Sequence, residues 1–390
     1  MTDQHAELEA RMPRRMWAVW LLFFFQYAAI GVYFTFLNVY FRTAGMSGTQ
    51  IGLINMCASL VSVISASGWG YLSDRSGQPH RLIALGATGA LLAAQFIPYV
   101  HGFWEFLLVG CLGSLMSSAP MTLTDSTTLT LLGNRREEYG RFRLGGSIGY
   151  ILTALTSGFI LQKTGLRVMF PAYGVIMFCF ALTALQLPPV TLQRVERGSK
   201  ALKQMIRQPA WLVFITCMFL CWIASNASIS FLNVALSAMG ASQSLIGIAA
   251  TVPAVVELPF MFFSGAFLRR FGTSRLMIVA MAMMVVRYFL LGWMPVPEWA
   301  VAINVINGPA FVFFWNSAIT YANQMAPPGM AGTAQGMLAS TVSLAAVASA
   351  LLSGWLLDSL GPNGIFMVMA FLVLAALALF STGNYWLRRR

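Results

Sequence analysis

Four ionisable side chains stand inside long apolar runs of this chain: Asp125, Arg143, Glu257 and Arg287. A charge at bilayer depth costs about 2.5–3.5 kcal/mol on insertion scales, so such groups persist where they pair or where function needs them. Glu257 precedes Arg269 by twelve residues, and Arg287 follows Arg275 by twelve. On consecutive antiparallel helices both would lie about 18 Å from the same end, at 1.5 Å per residue. They are level and of opposite sign, so a Glu257–Arg287 ion pair is expected. A carboxyl whose arginine partner comes and goes changes its proton affinity, which is the chemistry of proton coupling. The plainer alternative is a pair that only holds two helices together.

Asp125 and Arg143 form a second set. The run Glu138-Tyr139-Gly140-Arg141-Phe142-Arg143-Leu144-Gly145-Gly146-Ser147-Ile148-Gly149-Tyr150 places Arg143 and Tyr150 seven apart, on one helical face. A guanidinium, small residues and an aromatic ring make a floor for a flat polar solute. The alternative is that Arg143 snorkels to headgroups and the glycines only pack helices. Gln26 with Tyr33, Asn226 with Asn233, and Asn304 with Asn307 also pair on single faces. Each can contact a solute, and for the first two pairs an interhelical hydrogen bond is the plainer reading. No metal-ligand spacing is visible, and Cys57, Cys111, Cys179, Cys217 and Cys221 read as small buried thiols. There is no G-x-x-x-x-G-K-[ST] nucleotide loop and no nucleophile–base arrangement. Neither a cofactor nor an enzymatic reaction is expected.

The elements that must position these residues follow from composition. The chain is 58% hydrophobic and 9% charged, with a mean hydropathy of +0.72. Soluble domains carry about 25% charged residues, so an integral membrane protein is expected. Apolar runs fall at 16–41, 51–72, 82–100, 104–131, 143–163, 166–187, 211–237, 244–268, 275–294, 298–323, 333–357 and 364–386. Runs of about 20 residues predict helices, whereas a membrane barrel would alternate over about 10. The polar head leads into a full-length run, so no cleavable signal is expected. Pro188-Pro189 opens a basic stretch, 188–210, that reads as a linker between 1–187 and 211–390. With the N-terminus inside, twenty Lys and Arg fall on the cytoplasmic side and three, Arg42, Lys163 and Arg167, outside. That bias predicts both termini in the cytoplasm, and it accounts for the net charge of +12 without nucleic acid.

The two halves repeat. Phe36-Leu37-Asn38-Val39 returns as Phe231-Leu232-Asn233-Val234, and Gly45-x-Ser47 as Gly240-x-Ser242. Gly70-Tyr71-Leu72-Ser73-Asp74-Arg75-Ser76-Gly77 is echoed by Gly265-Ala266-Phe267-Leu268-Arg269-Arg270-Phe271-Gly272, and Ser157-Gly158 with Gly165 by Ser353-Gly354 with Gly361. The chain therefore reads as a tandem duplication, six runs per repeat.

Two six-helix repeats, with Gly70, Leu72, Asp74, Arg75 and Gly77 matching the loop signature G-x-L-x-D-R-x-G, resemble the major facilitator superfamily. The resemblance implies an all-α membrane protein with twelve transmembrane helices in two pseudo-symmetric bundles. It also implies a gating role for Gly70, Asp74, Arg75 and Gly77, and for Arg269 and Arg270 in the echo. There Gly70 would let helices approach and Asp74 would pair with a cation or a helix N-terminus. Glu138-Tyr139-Gly140-Arg141-x-Arg143 and Asp125, eighteen residues upstream, are similar to the lactose permease group, in which the matching arginine and acid bind substrate. Leu123-Thr124-Asp125, and Val256-Glu257 through Arg269-Arg270 to Arg287, resemble phenylpropionate permeases; nucleoside–proton symporters are more distant. The tenth run departs from the pattern. Asn304 and Asn307 stand where those relatives carry titratable groups, and an amide takes up no proton near neutral pH.

The resemblance implies a secondary transporter of the inner membrane that moves a small polar organic solute, a sugar, a nucleoside or an aromatic acid, with protons. The expected partners are that solute, protons and lipid, and a monomer is expected. The runner-up, a multidrug or metabolite efflux antiporter, is disfavoured because residues 143–163 contain no proline. An uncoupled facilitator is the other alternative, and a membrane enzyme a distant third.

Overall fold

In lipid every backbone N–H and C=O must be satisfied within its own segment, so long apolar runs become helices. The computed structural model describes residues 16–133, 138–188, 208–326 and 330–387. The expected linker, apart from its ends, lies outside these residues, as do the basic groups at 11–15, 135–136 and 388–390. The helices are α1 (Met16–Ala29), α2 (Thr35–Thr43), α3 (Gly48–Ser76), α4 (Pro79–Phe96), α5 (Phe103–Leu132), α6 (Tyr139–Thr164) and α7 (Met169–Ala184). They continue as α8 (Pro209–Ala238), α9 (Gln243–Phe271), α10 (Thr273–Trp293), α11 (Trp299–Ile303), α12 (Asn307–Met325) and α13 (Ala331–Leu387). Among the described residues ten helical segments are long and apolar enough to cross a membrane.

Three departures from regular helix have local causes. A π turn, Ile30–Phe34, joins α1 to α2. Just ahead of it the Thr153 hydroxyl, 2.7 Å from the Gly149 carbonyl of its own helix, also lies 2.9 Å from the Ala28 carbonyl, and a side chain set against the ladder in this way deforms a helix. A 3-10 turn, Asn304–Ile306, separates α11 from α12. Pro309 lacks an N–H and its ring crowds the carbonyl of Val305, four residues back. In α13 the break is Gly361, at φ 74° and ψ −176°, so the expected runs 333–357 and 364–386 meet at one residue.

The described residues group into two units. One draws on Met1–Tyr40 and Cys57–Arg194, the other on Phe41–Met56 and Val195–Arg390. In the first, α1 packs on α6 and α7, and α4 on α5 and α7. In the second, α13 packs on α8 and α10, and α12 on α9 and α10. The duplication is visible in the backbone. Gly45 and Gly240 have φ 89° and 88°, Gly77 and Gly272 have 62° and 77°, and Gly165 and Gly361 have 87° and 74°. These are equivalent places in the repeats, and all lie in the region where a side chain is strained.

The α1–α6 contact is made backbone to backbone. A Cβ at Gly149 would run into the Phe24 carbonyl, and one at Gly145 would lie 2.8 Å from the Trp20 ring. Gly149→Val is expected to lower the stability of the purified protein by about 3 kcal/mol, the upper end of overpacking costs. Thermal unfolding checks this; an unchanged midpoint would show that the two helices can part without penalty.

Candidate functional site

In the first unit α5 and α6 bring Asp125 and Arg143 together through a residue the sequence reading passed over. The Tyr139 hydroxyl donates to Asp125 Oδ1 at 2.9 Å and accepts from Arg143 Nη1 at 3.3 Å. The Arg143 guanidinium lies 5.8 Å from the centre of the Tyr27 ring, within cation–π range. Asp125, half-buried, and Arg143, exposed, are thus the two ends of one array. Tyr139 sits four residues before Arg143, so the shared face was visible as spacing. Tyr27 comes from another helix and carried no such signal.

The floor expected between Arg143 and Tyr150 is not open. A Cβ at Gly146 would lie 2.7 Å from the Tyr27 ring, so that ring fills the place. Gly145, Gly146 and Gly149 serve the packing of α6 on α1, because only glycine allows backbones so close. Tyr150 is hydrogen-bonded to the Thr35 side chain. Gln26 and Tyr33 do not stay on one face: Tyr33 lies within the π turn and Gln26 in the α-helix before it. Gln26 Nε2 meets Met121 Sδ of α5 at 3.2 Å, whereas Tyr33 stacks on Tyr173 of α7 at 4.3 Å. Gln26 is 8% exposed, and its Oε1 has no hydrogen-bond partner among the described residues.

In the second unit Arg287 is 3% exposed. Its Nε and Nη2 donate to Asn304 Oδ1 at 3.3 and 2.9 Å, and Nη2 also donates to Ser228 Oγ at 2.8 Å. The guanidinium carbon lies 5.2 Å from the Tyr288 ring centre. The sequence reading set Glu257 against this arginine; the hydrogen bonds described for the guanidinium are donated to neutral side chains. Glu257 is half-buried on α9, its backbone nitrogen 2.9 Å from where a Cβ of Gly308 would stand. Asn304 and Gly308 are one turn apart, so the same stretch touches Arg287 and approaches Glu257. Asn304 is 1% exposed and its Nδ2 donates to the Ala249 carbonyl at 2.8 Å. Both ends of the amide are engaged, so Asn304 positions Arg287 in this conformation. Asn307 is half-buried. Asn226 Nδ2 donates to the Trp222 carbonyl of its own helix at 2.8 Å. Trp222 meets Trp315 edge to face at 5.4 Å, and its indole nitrogen is buried without a hydrogen-bond partner among the described residues.

The Gly70–Gly77 stretch is helical through Ser76, because nothing interrupts α3 before Gly77. A Cβ at Gly70 would meet open space, so the helix approach expected there is not made in this conformation. Asp74 and Arg75 are exposed. In the echo Arg269 and Arg270 are exposed, and Arg270 lies 5.6 Å from the Phe271 ring centre.

Residues 16–368 match the model of the MFS_1 like family. The chain belongs to that family. It is an integral, multi-spanning membrane transporter related to nucleoside, sugar and aromatic-acid permeases. It is 26% identical to the maltose permease of Geobacillus stearothermophilus over 87% of this chain and 86% of that one. It is 25% identical to the "Probable 3-phenylpropionic acid transporter" of Escherichia coli (strain K12) over 92% and 94%. The crystal structure of the nucleoside transporter NupG shares the fold, with a TM-score of 0.79 at 18% identity and coverage of 94% of this chain and 98% of that one.

Proposed function

We propose that this transporter carries a neutral, hydroxyl-rich solute, a sugar or a nucleoside, across the inner membrane by alternating access and together with protons. The observation that carries the solute class is the Asp125–Tyr139–Arg143 array. One carboxylate and one guanidinium, joined by a hydroxyl, offer acceptors and donors with no net charge. A carboxylate solute would meet Asp125 as well as Arg143, and the like charge disfavours it. The Tyr27 ring beside the guanidinium adds an aromatic edge, which suits a sugar ring or a base. The orphaned Gln26 Oε1 and Trp222 indole N–H fit the same reading, because a buried polar atom without a partner is costly and a hydroxylated solute can supply one. The maltose permease relative agrees with this class.

The architecture is read as twelve helices in two six-helix bundles, with α11, the 3-10 turn and α12 as the tenth and α13 divided at Gly361 into the last two. Both termini are placed in the cytoplasm on the basic-residue bias, and the protein is taken as a monomer. Coupling is assigned to Glu257, with Asp125 as the other carboxyl at depth.

The test is a thermal-shift screen of sugars, nucleosides and aromatic acids against the purified protein, followed by uptake into proteoliposomes with and without a proton gradient. Stabilisation by sugars or nucleosides is expected. Stabilisation by aromatic acids alone would overturn the solute class, and uptake indifferent to pH and membrane potential would overturn coupling. Asp74→Asn is expected to slow or skew transport while leaving equilibrium solute affinity within a few-fold. Loss of binding by the folded variant would remove Asp74 from the gate and place it with the solute.

A further inference from the structure

The start of α3 belongs by sequence to the first repeat, since Gly45-x-Ser47 and Ile51-Gly52 are echoed by Gly240-x-Ser242 and Ile246-Gly247. By contact it belongs with the second unit, which takes in Phe41–Met56. Two features make that attachment. The first is a charge. Both oxygens of Asp358 accept backbone N–H groups of α3, Oδ1 from Gly48 and Oδ2 from Thr49, each at 2.7 Å. Arg42 Nη1 stands 3.9 Å from Oδ1. A carboxylate across the first amides of a long helix meets donors that have no partner inside the helix and the positive end of its dipole. Ser47 caps the same turn by accepting from Gln50 N at 3.1 Å, so Asp358 takes amides that the local cap leaves free.

The second is a seam of backbone contact. A Cβ at Gly48 would lie 2.6 Å from the Gly354 carbonyl, a Cβ at Gly354 would strike the Gly48 carbonyl, and one at Gly52 would lie 2.5 Å from the Ala350 carbonyl. This surface is made for close approach of backbones. The repeat offset of 196 puts Gln162 opposite Asp358, so the carboxylate is present in one repeat and not in the other. Asp358 is 30% exposed at its side chain, which leaves water able to take over its acceptor sites when the contact opens.

We propose that Asp358 is a releasable charge clasp that holds α3 against α13 and keeps the transport path closed on the side opposite Asp74 and Arg75. It rests on the transport reading only in that the path must open on that side once per cycle. The clasp sets how often this happens, with no part in solute recognition.

The experiment reads the seam directly and needs no solute. Ala350 is 5% exposed, so Ala350→Cys in the full chain is a buried reporter that a membrane-impermeant maleimide reaches only when α3 and α13 part. In sealed right-side-out vesicles, with the parent chain and its native cysteines as background, labelling is expected to be slow. Adding Asp358→Ala is expected to speed it about tenfold, the shift that loss of hydrogen bonds to a charged acceptor gives. Asp358→Asn keeps the size and one acceptor and is expected to fall between; it stands in if the alanine variant does not fold. Equal labelling rates with and without the Asp358 substitution would overturn the clasp and leave Asp358 a fixed helix cap. That result would leave the solute class untouched, since the screen of sugars and nucleosides is read separately.

Discussion

Arg143→Lys is expected to lose solute binding by about a hundredfold although the positive charge is kept, in line with the cost of hydrogen bonds made by charged groups. The guanidinium is a planar fork, able to face the Tyr27 ring, reach Tyr139 and still present further N–H groups to a ligand. Its contact to Tyr139 is long at 3.3 Å, which leaves room for a solute oxygen to compete. An ammonium is a compact point charge on a flexible stem and cannot hold these directions at once. The measurement is solute affinity by calorimetry or thermal shift, beside an unfolding curve that shows the variant intact. Tyr139→Phe should move affinity in the same direction by a smaller factor, because it cuts the link to Asp125 without removing either charge. Near-normal binding by Arg143→Lys would mean that the arginine only anchors the end of α6 at the headgroups.

Glu257→Gln is expected to abolish proton-driven accumulation while solute exchange across the membrane continues. The amide mimics the protonated acid and cannot release a proton. Among the acidic residues only Asp125 and Glu257 lie deep within the apolar runs, Glu105 and Glu298 standing at run ends, and none of the three histidines, His5, His80 and His101, lies deep in one. The structure shows Arg287 held by Asn304 and Ser228, with the same stretch of α11 and α12 approaching Glu257 at Gly308. A shift of that stretch that frees the guanidinium from Asn304 would bring or remove a positive charge near the carboxyl and so change its proton affinity. The check is uptake into proteoliposomes under an imposed pH gradient, with counterflow as the exchange assay. Accumulation by Glu257→Gln in response to protons would transfer the role to Asp125.

Sequence alone determined what lipid and covalent order impose. Composition decided the solvent, and the length of the apolar runs decided helices, because a backbone in hydrocarbon has no other partner than itself. The repeat was legible because duplication leaves glycines where the chain must turn, and Gly45, Gly77 and Gly165 take the same left-handed φ as Gly240, Gly272 and Gly361. Asp125 and Arg143 stood out because charge in an apolar run is costly, and spacing on one helix is a local property. What only the tertiary structure decided is which atoms meet across helices. Tyr27 comes to Arg143 because Gly146 leaves a place for its ring. Asn304, indistinguishable in sequence from a solute-facing amide, is spent on Arg287 and the Ala249 carbonyl. Gln26 and Tyr33 part company because a π turn takes in Tyr33, where a threonine of another helix lies beside the Ala28 carbonyl. Asp358, an ordinary loop acid in sequence, finds the amides of Gly48 and Thr49 some 310 residues away. Helical periodicity specifies a face but not what packs on it, and that depends on small residues and carbonyls contributed by segments far apart in the chain.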